Sequence, residues 1–328
     1  MADTFLAAAE VIARQVYFRW PRNHKSRSAA KGKHRSGPRA AVRVKASELS
    51  ARLREIGAQS GGLLMVHSSV DNLKIVADDG QVKQRGAAVL WLLEALESAI
   101  GPDGTLCMPT HPLYKDDPGF MYDKSDLVLH YSVRKTPSKV GLLTEFFRRQ
   151  PGTLRSLHPL SSLAARGPLA AELLKNNLND QRPLPHGVHS GYYRFCQRDG
   201  LVISLGVPLF SRMTVTHVAE EVKDADWPTQ GFFYERPFEV EDEQGNRRRV
   251  TVRERRPEYV RSFAQQVMRR HFLGADILHE GAVGPVRLDT ASSLSVLNAM
   301  REKQERSSFP YFFPVLAGIG AAPPAASN

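Results

Sequence analysis

Hydrophobic positions along this chain change period in a way that predicts alternating helices and buried strands. Leu49, Leu53 and Ile56 recur at helical spacing behind Ser47, an N-cap candidate, and Gly57 can end that helix. A continuous apolar run follows and closes on His67, Ser68 and Ser69. Such a run, lacking polar alternation and bounded by glycine and small polar residues, reads as a strand buried on both faces, as in a parallel sheet. Residues 87–100 carry a Leu, Trp and Ala face that predicts a helix, Gly101-Pro-Asp-Gly104 stops it, and 105–109 forms a second buried strand. Further on, 141–149 reads as a helix, 201–207 as another buried strand and 257–272 as a helix. Residues 238–253 alternate and turn at Gln244-Gly-Asn246, the pattern of an exposed hairpin.

Strand, helix, strand in that order implies crossover connections and an α/β fold. The expected architecture is a three-layer-like mixed sheet flanked by helices, with a smaller helical and hairpin subregion. One domain over residues 46–316 would carry the hairpin as an insertion at 232–256, and the Ala-, Pro- and Ser-rich residues 317–328 read as a disordered tail. At 328 residues and 42% hydrophobic content the chain can bury its core without crosslinks. Cys107 and Cys196 are too few for a disulfide framework and lack metal-ligand spacing, which fits a reducing, cytoplasmic setting. No apolar run approaches the roughly 20 residues that span a bilayer. The amphipathic opening stretch, residues 4–20, lacks the layout of a secretory signal and is expected to stay on the mature protein.

Charge changes the picture only at one end. Eleven Lys and Arg residues fall between Arg14 and Lys45 in a stretch without a single acid, and they equal the whole net charge of +11. The remainder is near neutral, so the basicity describes an N-terminal arm, residues 1–45, and no nucleic-acid partner is expected for the folded body. Residues 21–45 are too polar to fold alone. Two readings stand: a mobile, solvated arm, or a segment making weak contact with an anionic surface through residues 14–45.

Three polar clusters sit where apolar elements end, the place where open α/β sheets bind ligands. His67-Ser68-Ser69 offers hydroxyls and amides to a thioester oxygen or a pantetheine amide, or forms a simple turn. In Arg155-Ser-Leu-His158-Pro159, the proline restricts the histidine backbone, which presents a ring able to act as a base near neutrality or one with a structural role. In the third cluster, if Thr214 caps a helix, His217 and Glu220 share a face three residues apart and His217 and Glu221 four apart, a spacing that also suits an ordinary capped surface pair.

Taken together these clusters resemble the aminoglycoside 3-N-acetyltransferase family. The likeness covers residues 45–315 and runs through Val66-His-Ser-Ser69, Gly104-Thr-Leu-Cys-Met-Pro-Thr110, Thr136-Pro-Ser-Lys-Val-Gly141, Phe147-Arg148, Arg155-Ser-Leu-His-Pro159 with Ser162, Leu205-Gly206, and Thr214, His217 and Glu220 in order. The resemblance implies direct acyl transfer from an acyl-CoA, acetyl-CoA by default, to an amine of an amino sugar or aminoglycoside-like acceptor, with no metal and no covalent intermediate. It implies His158 as general base, oriented by Glu220, with His217 behind it or at the acceptor. It places Ser68, Ser69, Thr136, Pro137 and Ser138 at the pantetheine and thioester, and offers Lys139 or Arg148 to the coenzyme phosphates.

The chain departs from the family pattern at Tyr131-Ser-Val133, where an acid is lost, and at His189 and Gly191, where relatives show an acid and a proline. Both changes point to altered acceptor recognition, because a polycationic acceptor wants carboxylates. Acids remain at Asp116, Asp117, Asp123, Asp126, Asp224 and Asp226, as acceptor contacts or loop charges. Two alternatives compete. One is a thiol nucleophile at Cys107 or Cys196 working with a histidine. The other is a catalytically silent binding module recruited to an anionic partner by its basic arm.

Overall fold

The computed structural model describes residues 2–19, 42–69, 73–76, 85–112, 114, 128–178, 183–223, 231–256 and 262–306. Its strands, in chain order, are β1 (Val42–Lys45), β2 (Leu63–Ser68), β3 (Leu73–Val76), β4 (Thr105–Pro109), β5 (Leu129–Ser132), β6 (Leu154–Arg155), β7 (Leu163–Arg166), β8 (Leu201–Leu205), β9 (Phe233–Glu241), β10 (Arg247–Arg255), β11 (Leu278–Val283) and β12 (Val286–Ser292). Seven of them form one mixed sheet in the order β11-β12-β8-β2-β4-β7-β6. At its centre β8, β2 and β4 run parallel, and antiparallel strands flank them on both sides.

Helices cover both faces of this sheet, which explains the unbroken apolar run of β2. Successive side chains of a strand point to opposite faces. Leu63 and Met65 therefore join Phe195, Val218 and Met300 on one side, whereas Leu64 and Val66 meet Leu92, Leu96 and Phe147 on the other. The first layer comes from helices Gly191–Gln197, Thr216–Lys223 and Ser293–Glu305, the second from Ala46–Glu55, Arg85–Ile100 and Leu142–Arg148. This is the α/β architecture that the apolar pattern implied.

Boundaries shift where tertiary structure overrides local signals. Helix Ala46–Glu55 starts directly after β1 with extended Lys45 at its N-cap and no side-chain cap, so Ser47 lies inside the first turn. The helix expected over 257–272 is Gln265–Gly274, and 257–261 lie outside the described residues. The β9–β10 hairpin turns where Asp242 Oδ1 accepts the amides of Gln244 and Asn246, each at 2.9 Å. It is not exposed on both faces: β5 pairs with β9, and Phe238, Val240 and Val252 are buried with Leu129 and Tyr131.

Helix Ala2–Arg19, which the charge pattern assigned to the arm, docks on the body through Ala7 and Val11 against Ala264. The Glu10 carboxylate accepts the amide of Gln266 at 2.9 and 3.0 Å and that of Val267 at 3.1 Å. These are first-turn donors that helix geometry leaves without an intrahelical partner. The linker residues 20–41 and the tail 307–328 lie outside the described residues. No described helix is long and apolar enough to cross a membrane.

Candidate active site

Parallel strands β4, β2 and β8 end at one edge of the sheet, and a cavity of about 670 Å³ opens there. The ends of these strands and the loops after them contribute Ser68, Ser69, His111 and Val207 to its wall. The start of helix Thr216–Lys223 adds Thr216 and His217, and the end of β10 adds Arg255. Two glycines hold the Ser68-Ser69 turn. Gly206 has φ +72°, and a Cβ there would fall 2.7 Å from the Ser69 carbonyl, while the Ser69 amide donates to Leu205 at 3.0 Å. Gly141 has φ +140° and would bring a Cβ 3.4 Å from the Ser68 carbonyl. Only glycine takes such backbone conformations without penalty.

Of the five residues expected at the coenzyme, Ser68 and Ser69 line the cavity and the other three do not. The Ser68 hydroxyl is buried without a hydrogen-bond partner, as is Nε2 of His67. Buried polar atoms are rarely left so, and one aimed at a cavity is suited to a ligand's amide or carbonyl. Thr136 instead accepts the Ser132 amide through Oγ1 at 2.8 Å, and Ser138 shares a 2.8 Å hydroxyl contact with Thr144 while its amide donates to Glu145 at 2.7 Å. Pro137 lies exposed between them. This turn braces the stretch from Lys139 to Leu142 that forms part of the wall. Arg148 is spent on Glu145 and on the Arg134 carbonyl at 2.8 Å. Lys139 lines the cavity.

His158 does not meet Glu220. Its Nδ1 accepts the Leu160 amide at 3.4 Å, so the neutral ring carries its proton on Nε2 and donates to the Pro183 carbonyl at 3.3 Å. Both nitrogens are thereby used. Burial pushes its pKa down to about 4, and the carboxylate whose charge it feels is Glu221. The ring is absent from the wall of the large cavity and borders a separate small void. A proline fixes the backbone on its own N-terminal side but says nothing about where the preceding ring points.

Glu220 serves His217. Helical spacing brings Nδ1 of His217 to 3.4 Å from the carboxylate, which is fully buried and also bound by Arg255 at 2.7 Å. Arg255 also lies 2.7 Å from the same ring nitrogen. Burial first, and the Arg255 charge second, hold the pKa of His217 below the ordinary histidine value, so the ring is neutral. Thr214 lines the cavity, but its hydroxyl turns to the Met65 sulfur, and it is the Thr214 carbonyl that accepts the His217 amide at 3.0 Å.

A second pair lies beside the first. His186 donates its amide to Glu221 Oε2 at 2.6 Å and sets Nδ1 2.9 Å from Oε1, leaving Nε2 buried without a partner. Burial alone would raise the Glu221 pKa, but the charge and hydrogen bonds of His186 outweigh it and hold the carboxyl below its usual range. The two imidazoles lie 5.5 Å apart, and Tyr192, in ring contact with His186, shares a 3.0 Å hydrogen bond with His111. His186 and Glu221 are 35 positions apart, beyond any periodic signal.

The departures from the family pattern lie away from the cavity wall. Tyr131 is buried and donates to the Ser156 carbonyl at 2.8 Å. Ser190 caps helix Gly191–Gln197, and a Cβ on Gly191 would sit 3.1 Å from the Leu173 carbonyl. The acids from Asp116 to Asp126, and Asp224 and Asp226, lie outside the described residues. Neither cysteine lines the cavity; burial pushes the Cys196 thiol up to about 12 and Cys107 higher still. Among the described residues no three His, Cys, Asp or Glu side chains cluster as metal ligands.

The sequence profile of a family described as aminoglycoside 3-N-acetyltransferase matches residues 65–305. Aminoglycoside N(3)-acetyltransferase IV from Salmonella sp is 34% identical over 175 residues, which is 53% of this chain and 58% of that protein, so the match spans less than two thirds of the relative. The apoenzyme structure of aminoglycoside acetyltransferase AAC(3)-IVa superposes with a TM-score of 0.62 at 27% identity, over 84% of this chain and 94% of that one. A structure described as AAC-IIIb binary with CoASH shares the fold, with a TM-score of 0.62 at 23% identity over 83% and 100% of the two chains.

Proposed function

From the premise that the chain belongs to the aminoglycoside 3-N-acetyltransferase family, we propose that it transfers an acyl group from an acyl-CoA, with acetyl-CoA the simplest donor, to an amine of an amino sugar or aminoglycoside-like acceptor. The observation that carries this reading is the His217–Glu220 pair beside a cavity of about 670 Å³ that also holds the unpartnered Ser68 hydroxyl.

An ammonium has no lone pair, so the amine must meet the thioester neutral and lose a proton as the N–C bond forms. His217, held uncharged by burial and Arg255, takes that proton. For this step Arg255, which lies 2.7 Å from Nδ1 and 3.2 Å from Nε2 and can only donate, moves off the ring; Nδ1–H then faces Glu220, which stabilises the imidazolium, and Nε2 takes the substrate proton. The C–S bond breaks, and the proton passes to the departing thiolate. Ser68 and Ser69 receive the amide-bearing arm and the thioester oxygen through hydroxyls and amides. His158 keeps a packing role.

A second reading makes His186 the base, favoured by its shorter contact to Glu221 and its unpartnered Nε2. Thiol-release kinetics with acetyl-CoA over a panel of amino sugars and aminoglycosides separate the two. His217→Ala is expected to lose roughly a hundredfold to ten-thousandfold in kcat with little change in the acetyl-CoA KM. Undiminished turnover in His217→Ala with loss in His186→Ala moves the base to His186, and undiminished turnover in both defeats the mechanism.

A further inference from the structure

The charge of the described cavity wall is the reverse of what a polycationic acceptor needs. Among the described residues that line it, the fixed charges are Lys139, Arg212 and Arg255, and no carboxylate is present. The nearest acids lie behind the wall and are already compensated: Glu220 is bound by Arg255 and His217, and Glu221 by His186. The Arg212 guanidinium, exposed to the cavity, has no hydrogen-bond or ion-pair partner among the described residues. Its backbone is fixed, since Arg212 closes the short turn Leu209–Ser211, whose first amide is held by buried Asp289 at 2.9 Å.

Both arginines belong to the reacting end of the cavity. Arg255 touches the ring of His217 at 2.7 Å. The Arg212 charge acts on His67, the neighbour of Ser68. Coenzyme phosphates lie a whole pantetheine arm from the thioester, so cations placed beside the base are poorly sited to serve them. Lys139, beside the brace for the Ser68 turn, suits that task better.

We propose that the acceptor amine carries a phosphate group received by Arg212, with Arg255, itself paired with Glu220, flanking it, which makes the substrate a phosphorylated or nucleotide-linked amino sugar rather than a polycation. Arginine presents a planar fork that matches phosphate oxygens two at a time. The positive field is also felt by the site's own bases, because burial together with Arg212 lowers the pKa of His67 and burial together with Arg255 lowers that of His217. This inference rests on the acyltransferase reading and narrows it.

The test is calorimetry on the full chain, first with CoA alone and then, at saturating CoA, with glucosamine, glucosamine 6-phosphate, UDP-linked glucosamine and kanamycin. Either phosphorylated sugar should bind about tenfold to a hundredfold tighter than glucosamine, the range for hydrogen bonds to a charged group. Arg212→Gln should remove most of that gap and leave the CoA affinity unchanged. Equal binding of phosphorylated and plain sugar, tighter binding of kanamycin, or an Arg212→Gln defect confined to CoA would overturn the inference alone. Absence of CoA binding would overturn the acyltransferase reading and this inference with it.

Discussion

His217 has to be uncharged before it can accept a proton, and burial and its charged neighbours set that state. Burial and Arg255 lower its pKa, and Glu220 opposes them. Replacing Arg255 by Met removes a nearby cation, so the acid limb of the kcat/KM profile should move to higher pH and activity at pH 6 should fall relative to pH 8. An unmoved limb would detach Arg255 from the base. Two other histidines carry a stability signature instead. His67 and His158 have folded pKa values of about 4 against 6.5 for the free side chain, chiefly through burial. Between those limits the unfolded chain binds protons that the folded one refuses, so stability should fall as pH drops from 6.5 towards 4, by on the order of 3 kcal/mol per group at the limit. Urea unfolding at stepped pH measures this slope, and His158→Gln should flatten it. The pairing of His217 with Glu220 was legible because three residues of helix separate them. The expected meeting of His158 with Glu220 is absent, because chain context constrained the histidine's backbone and not its ring.

At the scale of elements, the cavity edge of the sheet depends on turns that lack side chains. In Gly206→Ala the new Cβ meets the Ser69 carbonyl at 2.7 Å on a backbone at φ +72°. The expected cost is about 1–3 kcal/mol, seen as a lower urea midpoint, together with a higher acetyl-CoA KM because the Ser68 hydroxyl is displaced. A normal KM in the folded variant would show that this turn does not hold the donor. Helix Ala2–Arg19 makes a separate claim, since Glu10 meets the first amides of helix Gln265–Gly274. Glu10→Ala should lower stability by about 1 kcal/mol, the usual size of an N-terminal cap, in chemical unfolding of the full chain. Strands β2, β4 and β8 were legible as uninterrupted apolar runs because both of their faces are covered. The burial of one hairpin face was not, since alternation shows that a face is apolar without showing what covers it.

For the molecule as a whole, the sheet order decides which distant segments meet. β8 lies beside β2, and β2 beside β4, so loops following residues 68, 109 and 205 converge on one edge. Helix Thr216–Lys223 and the end of β10 close over that edge and bring His217 and Arg255 together across 38 positions. The amino-acid order by itself determined the α/β class, the buried central strands, the His217–Glu220 spacing and the family motifs. All of these are local patterns, set by periodicity and by residues near one another in the chain. Tertiary structure alone decided that His158 lies away from Glu220, that His186 pairs with Glu221, and that the fixed charges of the described cavity wall are cationic. Those outcomes depend on which side chains three separate segments turn towards a shared space, and that orientation is fixed only once the sheet has assembled and its two faces are packed.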